Sequence, residues 1–206
     1  MSLEVLLARY GTTYCTQAGI RLRDKPSPLY QLLVLALLLS TRIRADTAVK
    51  AARELYAAGW RTPRAMRDST WQQRVDALGR GGYVRYDEST ATRLYQGAEL
   101  LLDTWAGDLR RLRGDRETVR RQLKRFPGIG DVGADIFCRE AQAVWPELRP
   151  YFDQRALSGA RLCDLPADPN RLASLVPPEQ MATLSAALVR ASVTRGGSHR
   201  SAAHPR

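Results

Sequence analysis

The stretch that most constrains this chain is Leu123-Lys124-Arg125-Phe126-Pro127-Gly128-Ile129-Gly130-Asp131-Val132-Gly133-Ala134. Apolar residues at helical spacing (Val119, Leu123, Phe126) lead into Pro127, and the chain turns through Gly128-Ile129-Gly130. Helical spacing then resumes at Val132, Ile136 and Phe137. Two helices joined by a turn with glycine at both shoulders form a helix-hairpin-helix. Glycine serves such a turn in two ways. It reaches backbone angles closed to other residues, and it lets main-chain N–H groups meet a phosphate with no side chain between. Further along, Asp153 ends the apolar-aromatic step Tyr151-Phe152 and is placed to open the next helix.

A hairpin of this kind wants a polyanion, and the charge agrees. The 206 residues carry a net charge of +11, which in a folded chain points first to nucleic acid, with a generically basic surface as the plainer reading. The cations are nearly all arginine, since Lys25, Lys50 and Lys124 are the only lysines. Arginine suits bidentate phosphate contacts, but it cannot form the Schiff base that some DNA-processing enzymes use. Cys15, Cys138 and Cys163 are too few and too scattered for a disulfide framework, a zinc site or an Fe–S site. Histidine occurs only at His199 and His204, which makes histidine-based catalysis an unpromising reading. The start is no signal peptide, and the longest apolar run, Leu32 to Leu39, is too short to span a bilayer. The expectation is a cytoplasmic, nucleoid-associated protein with no membrane partner.

Taken in order, the chain reads as helices throughout. Leu3, Leu6, Leu7 and Tyr10 make a short amphipathic helix. Ser27-Pro28 reads as N-cap and first helical position of an almost wholly apolar helix, Leu29 to Ser40, that belongs in the middle of a core. Thr41-Arg42-Ile43-Arg44 interrupts it. A helix from Ala48 to Tyr56 ends at Gly59, Thr62-Pro63 starts another, and Ser69 is expected to cap Trp71 to Leu78. Gly79 to Glu88 is a basic, aromatic loop that suits a nucleic-acid backbone or an unstacked base, and equally suits a solvated turn with tyrosines packed locally. The arginines from Arg110 to Arg125 read as a solvated helix face, some of them facing phosphate where they lead into the hairpin. Helices follow from Gln154 to Leu162, Asp168 to Val176 and Pro178 to Ala191. No strand pattern or repeat is found, so the fold class is all-α. Residues 194–206 lack apolar periodicity and read as a disordered basic tail.

The ordered set from Pro26 to Leu165 resembles the helix-hairpin-helix, Gly/Pro-rich-loop, aspartate superfamily of DNA glycosylases, on its endonuclease III-like branch. The residues that carry the likeness are Ser27-Pro28-Leu29, Leu38 to Arg42, the Gly82-Tyr83 loop, the hairpin Phe126 to Ala134 and Phe152-Asp153. Gly82 to Glu88 and Trp145 to Asp153 further resemble a small bacterial subgroup. The resemblance implies two helical lobes with the hairpin and the aspartate at the cleft between them. Residues 1–27 and 132–193 would form a terminal-helix lobe, and 28–131 a central lobe. It also implies base-excision repair on double-stranded DNA, damaged or abasic, by a monomer that flips the damaged base out of the duplex. Asp153 matches the family's aspartate. A fixed carboxylate there would stabilise the oxocarbenium-like sugar left by the departing base, or activate water, and it is compatible with a plain N-cap role.

Two departures shape the reading. Bifunctional members of the resembled family carry a lysine two residues past the second hairpin glycine, and here that position is Val132. No cysteine follows Cys163, so the family's Fe–S cluster is not expected, nor any other metal or cofactor beyond a monovalent cation held by the hairpin turn. The resemblance assigns DNA contacts to Gly128, Ile129 and Gly130. It places Arg42 where relatives fill the gap left by the flipped base, and Arg85 and Tyr86 where the opposite wedge would come. Lys124 and Arg125 would meet phosphate. Arg42 reads equally well as a surface arginine ending the apolar helix. Asp131 would compete with a phosphate at the second helix's N-terminus. Three functions remain: a monofunctional DNA glycosylase, a catalytically silent binder of damaged or distorted DNA, and a bifunctional lyase with Lys124 as a relocated nucleophile.

Overall fold

Helix α3 (Pro26–Leu39) is the axis on which the rest of the molecule is stacked. Its residues Leu29, Tyr30 and Leu32 to Leu38 are all buried, as an apolar run without a polar face demands. Each such leucine contributes about 1.5–3 kcal/mol on leaving water. The structure, a computed structural model, describes residues 1–201, with side chains up to Thr194. Among the described residues the secondary structure is helical throughout, with no strand.

Before α3 come α1 (Leu3–Tyr10) and the short α2 (Tyr14–Gln17). After it run α4 (Ala45–Ala57), α5 (Pro63–Asp68), α6 (Trp71–Arg80) and α7 (Asp87–Trp105). The hairpin helices are α8 (Arg116–Leu123) and α9 (Asp131–Ala141). The chain closes with α10 (Gln154–Leu162), α11 (Pro169–Ala173) and α12 (Met181–Ser201). The tail expected to be disordered is helical in its backbone as far as Ser201, and its remaining residues lie outside those described.

Local capping follows side-chain chemistry with two corrections. Helix α3 begins at Pro26 behind Lys25, so Ser27 lies inside the first turn and donates its hydroxyl to the Arg61 carbonyl at 2.9 Å. Proline at the first helical position loses nothing, because that N–H has no intrahelical partner. Helix α6 is capped by Thr70, not Ser69, in a capping box with Gln73. Ser69 is buried and donates back to the Met66 carbonyl.

Two apolar cores result. One gathers residues from Cys15 to Tyr151 around α3. The other gathers Leu6 with residues from Phe152 to Ala191, chiefly α10 against α12 with α1 alongside. The cores change over between Tyr151 and Phe152. The buried face of α9, assigned from sequence to the terminal lobe, packs into the first core against α3. Two buried charged groups tie pieces together. Arg74, 3% exposed, donates to the Ala91 carbonyl at 2.9 Å and to the Ser69 carbonyl at 2.6 Å, joining α5, α6 and α7. Glu140 accepts the N–H groups of Tyr14 and Cys15 at 3.0 and 3.1 Å, fixing α2 to α9.

Candidate nucleic-acid interface

The hairpin turn separates its two glycines by function. Gly128 has φ +85°, and a Cβ there would stand 2.6 Å from Leu37 Cδ1 and 2.8 Å from Arg93 Cδ. Glycine is required on both counts. Gly130, the N-cap of α9, has φ −100° and open space where a Cβ would go. Backbone geometry therefore does not need glycine at the second shoulder, and what its absence of side chain supplies is unobstructed access to the N–H groups opening α9. Ile129 is 5% exposed, its side chain buried in the first core, so only its backbone is left to face a ligand.

The cations expected at the hairpin are already engaged. Asp131 accepts Lys124 Nζ at 3.0 Å and Arg120 Nη2 at 3.1 Å. The Lys124 hydrogen bond and its charge, with Arg120 adding to them, hold the Asp131 carboxyl below the usual carboxylate range. Arg120 also donates to the Tyr151 hydroxyl at 2.7 Å and pairs with Asp135, while that hydroxyl donates to Asp135 at 2.6 Å. Arg125 lies over the Trp105 ring, 4.7 Å from its centroid.

Behind the hairpin a cleft of about 480 Å³ opens where the Ser40–Ala45 connection, α9, α10 and α12 converge. Val132, Ile136 and Arg139 share one face of α9 and line it, as does Arg42. Val132 is 48% exposed, an apolar side chain left open to the cleft. Arg155 lines the opposite side from the first turn of α10.

Asp153 caps α10, its Oδ1 accepting the Ala156 N–H at 3.1 Å. Its Oδ2 accepts Arg139 Nη1 at 2.9 Å, and the two side chains are only 8% and 5% exposed. Asp153 itself borders a neighbouring groove with Arg116, Arg120 and Tyr151, and Arg139 carries its influence into the larger cleft. The carboxylate is thus held in one orientation from both ends, by a helix N-terminus and by a buried guanidinium.

The Gly82 loop divides differently from its composition. Tyr83 is fully buried, its hydroxyl 2.5 Å from Thr41 Oγ1, so one of the loop's two tyrosines belongs to the core. The Arg85 guanidinium sits over the half-buried Tyr86 ring at 5.3 Å, and the projecting tip is Val84, 65% exposed. Neither Arg85 nor Tyr86 lines the cleft. Sequence reasoning passed over Val84, Arg139 and Arg155. The signal for Arg139 was present: it stands seven residues after Val132 and three after Ile136, on one helical face.

No protein-family model matches the sequence, and no curated protein matches it. Among solved structures, the chain is similar to a trapped covalent intermediate of endonuclease III with DNA, an estranged-adenine complex. The TM-score is 0.51 at 16% identity, over 82% of this chain and 74% of that one. It is equally similar to a non-covalent endonuclease III–DNA complex, with TM-score 0.51, 16% identity, and coverage of 82% and 73%. The fold is endonuclease III-like. In this endonuclease III-like frame the hairpin, the cleft beside it and the Asp153–Arg139 pair lie on contiguous elements, α8, α9 and α10. No described helix is long and apolar enough to cross a membrane.

Proposed function

We propose that the protein is a monofunctional DNA glycosylase of base-excision repair, acting on double-stranded DNA that carries a damaged base. The observation that carries this reading is the Asp153 carboxylate, locked between the Ala156 N–H and Arg139, the latter lining a cleft large enough for a flipped nucleotide. A carboxylate so fixed suffers no reorganisation when positive charge develops on the sugar. Its two recorded partners leave lone pairs for water or the sugar ring. The hairpin N–H groups at Gly128 and Gly130 would anchor the DNA backbone. Arg42 would enter the space vacated by the base, and the exposed tip at Val84, with Arg85 and Tyr86 behind it, would press from the loop side.

A relocated lysine nucleophile is disfavoured by geometry. Lys124 is paired with Asp131, is 44% exposed and lines a groove with Arg116 and Arg121 instead of the cleft. Reactive lysines need desolvation or a neighbouring cation without a counter-ion. The silent-binder reading is favoured by one fact, that both Asp153 oxygens already have partners.

The deciding experiment is base release from a panel of duplexes bearing deaminated, oxidised or alkylated bases, with wild type and Asp153→Asn. Release by the wild type that falls by two or more orders of magnitude in the variant supports the glycosylase. Binding of abasic duplex without release of any base means a silent binder. A borohydride-trapped adduct on an abasic duplex means a lyase.

A further inference from the structure

The cleft has an unusual electrostatic composition for a pocket expected to stabilise positive charge. Arg42, Arg44, Arg139 and Arg155 line it, and no aspartate or glutamate is among the described lining residues. Arg44 has only a loose partner, Asp46 at 3.9 Å, with both side chains largely in solvent. Arg139 is neutralised from behind by Asp153, leaving its remaining donors for the cleft side. A fifth guanidinium adds to the bias. Arg190 stacks on Tyr14, a lining residue, at 4.6 Å, and its buried Nε and Nη2 have no hydrogen-bond partner. Apart from the hydroxyls of Ser40, Thr41 and Tyr14, the rest of the lining is apolar, with Ile43, Val132 and Ile136 among it.

We propose that this cleft is built for a flat heterocycle that carries negative charge, and that Arg139 and Arg155 stabilise a base leaving as an anion. This rests on the glycosylase reading and adds the class of leaving group. When the bond from the sugar C1′ to the base nitrogen breaks, the electron pair goes with the base. The base becomes an anion, and the sugar becomes oxocarbenium-like. Water then adds its oxygen to C1′, and its released proton passes through solvent to the base, so free neutral base and an abasic sugar are the products. Guanidiniums gathered in a largely apolar site, with Arg139 held in place by Asp153, lower the energy of the departing anion. They oppose a base that is already cationic before cleavage, as an alkylated purine nucleotide is. Asp153 then acts on the sugar and also positions Arg139, so the two groups divide the charges that separate.

The test uses three flat six-membered rings that differ chiefly in charge: orotate (anionic), uracil (neutral) and 1-methylnicotinamide (cationic). Each is titrated into the full-length protein by calorimetry, alone and with abasic duplex, while methyl NMR follows Val132, Ile136 and Val189. Orotate is expected to bind tighter than uracil by roughly tenfold, the scale of one added charge pair at a partly screened site, and 1-methylnicotinamide weakest. The perturbed methyls should be those of the cleft. Arg155→Gln, at an exposed position, should lower orotate affinity several-fold and leave uracil unchanged. Arg139→Lys, which keeps a cation against Asp153 while withdrawing a donor, should do the same. Equal binding of orotate and uracil, or tightest binding of the cation, overturns the proposal, and so do perturbations confined to the α8 groove. A clear orotate preference with no base released from any duplex preserves the anion site and removes the glycosylase reading. Release of cationic alkylated bases in preference to deaminated ones preserves the glycosylase and removes the anion site.

Discussion

Replacing Asp153 by alanine should destabilise the protein far more than losing a helix cap does. Two interactions disappear together. The N-cap bond from Asp153 Oδ1 to the Ala156 N–H stabilises by about 1 kcal/mol. The second loss is larger, because Arg139 is 5% exposed and Asp153 is its recorded ionic partner. Breaking a buried pair by removing one member costs about 3–5 kcal/mol, since the remaining charge stays desolvated. The expected sum is about 4–6 kcal/mol for Asp153→Ala. Asp153→Asn keeps a good N-cap and a neutral acceptor for Arg139, so it should cost less than half as much, about 1–2 kcal/mol. Urea unfolding followed by circular dichroism measures both, with the slope checked for constancy. A cost near 1 kcal/mol for the alanine variant would refute the reasoning, showing that Arg139 finds water in the cleft and that the pair contributes only its cap. The numbers also choose the reagent. Loss of activity in an alanine variant cannot be separated from loss of fold, whereas the asparagine variant tests the charge.

Three further perturbations follow from the hairpin. Gly128→Ala should destabilise by about 2–4 kcal/mol, from the left-handed backbone and the overlap with Leu37, while Gly130→Ala should leave stability within about 0.5 kcal/mol yet weaken binding to duplex DNA. Urea midpoints and fluorescence anisotropy of labelled duplex separate the two. Asp131→Asn releases Lys124, while Arg120 stays paired with Asp135, so affinity for duplex should rise and the log–log salt slope should steepen by about 1. An unchanged slope would show that Lys124 does not face DNA. Val132→Lys places an amine in the cleft beside cations at an already exposed position. Stability should change by less than about 0.5 kcal/mol, and borohydride should trap an adduct with abasic duplex that the wild type does not form. Absence of the adduct would mean that the sugar is held away from α9.

Much of the architecture was legible because it rests on local rules. Helical spacing and cap residues located α1, α7 and α10, and the Pro127-Gly128 turn marked the hairpin. The corrections came where two local solutions compete. Lys25-Pro26 opens α3 two residues before Ser27-Pro28, because proline tolerates either early position. Likewise Thr70 takes the cap from Ser69 because Gln73 stands three residues ahead to complete the box. Tyr83 was unreadable for another reason: loop composition does not reveal that Thr41, forty-two residues earlier, supplies a buried partner for its hydroxyl. The same holds at the site. Asp153 and Val132 stand out by position in the sequence, but that Arg139 is the group between Asp153 and the cleft depends on how α9 meets α10 across two cores.

The division of the cores at Tyr151 and Phe152 has a consequence for the order in which the molecule is made. The first core, from Cys15 to Tyr151, contains α3 and the whole hairpin, and all its residues have been synthesised before α10 begins. Helix α1 is made first, yet its main packing partner α12 is made last. Emerging chains can therefore assemble the hairpin platform early, since folding proceeds from the N-terminal side during synthesis, while α1 waits unpartnered. Arg139 waits as well, with its guanidinium exposed until Asp153 arrives. The last act of folding is thus the closing of the cleft, when α12 captures α1 and Asp153 captures Arg139.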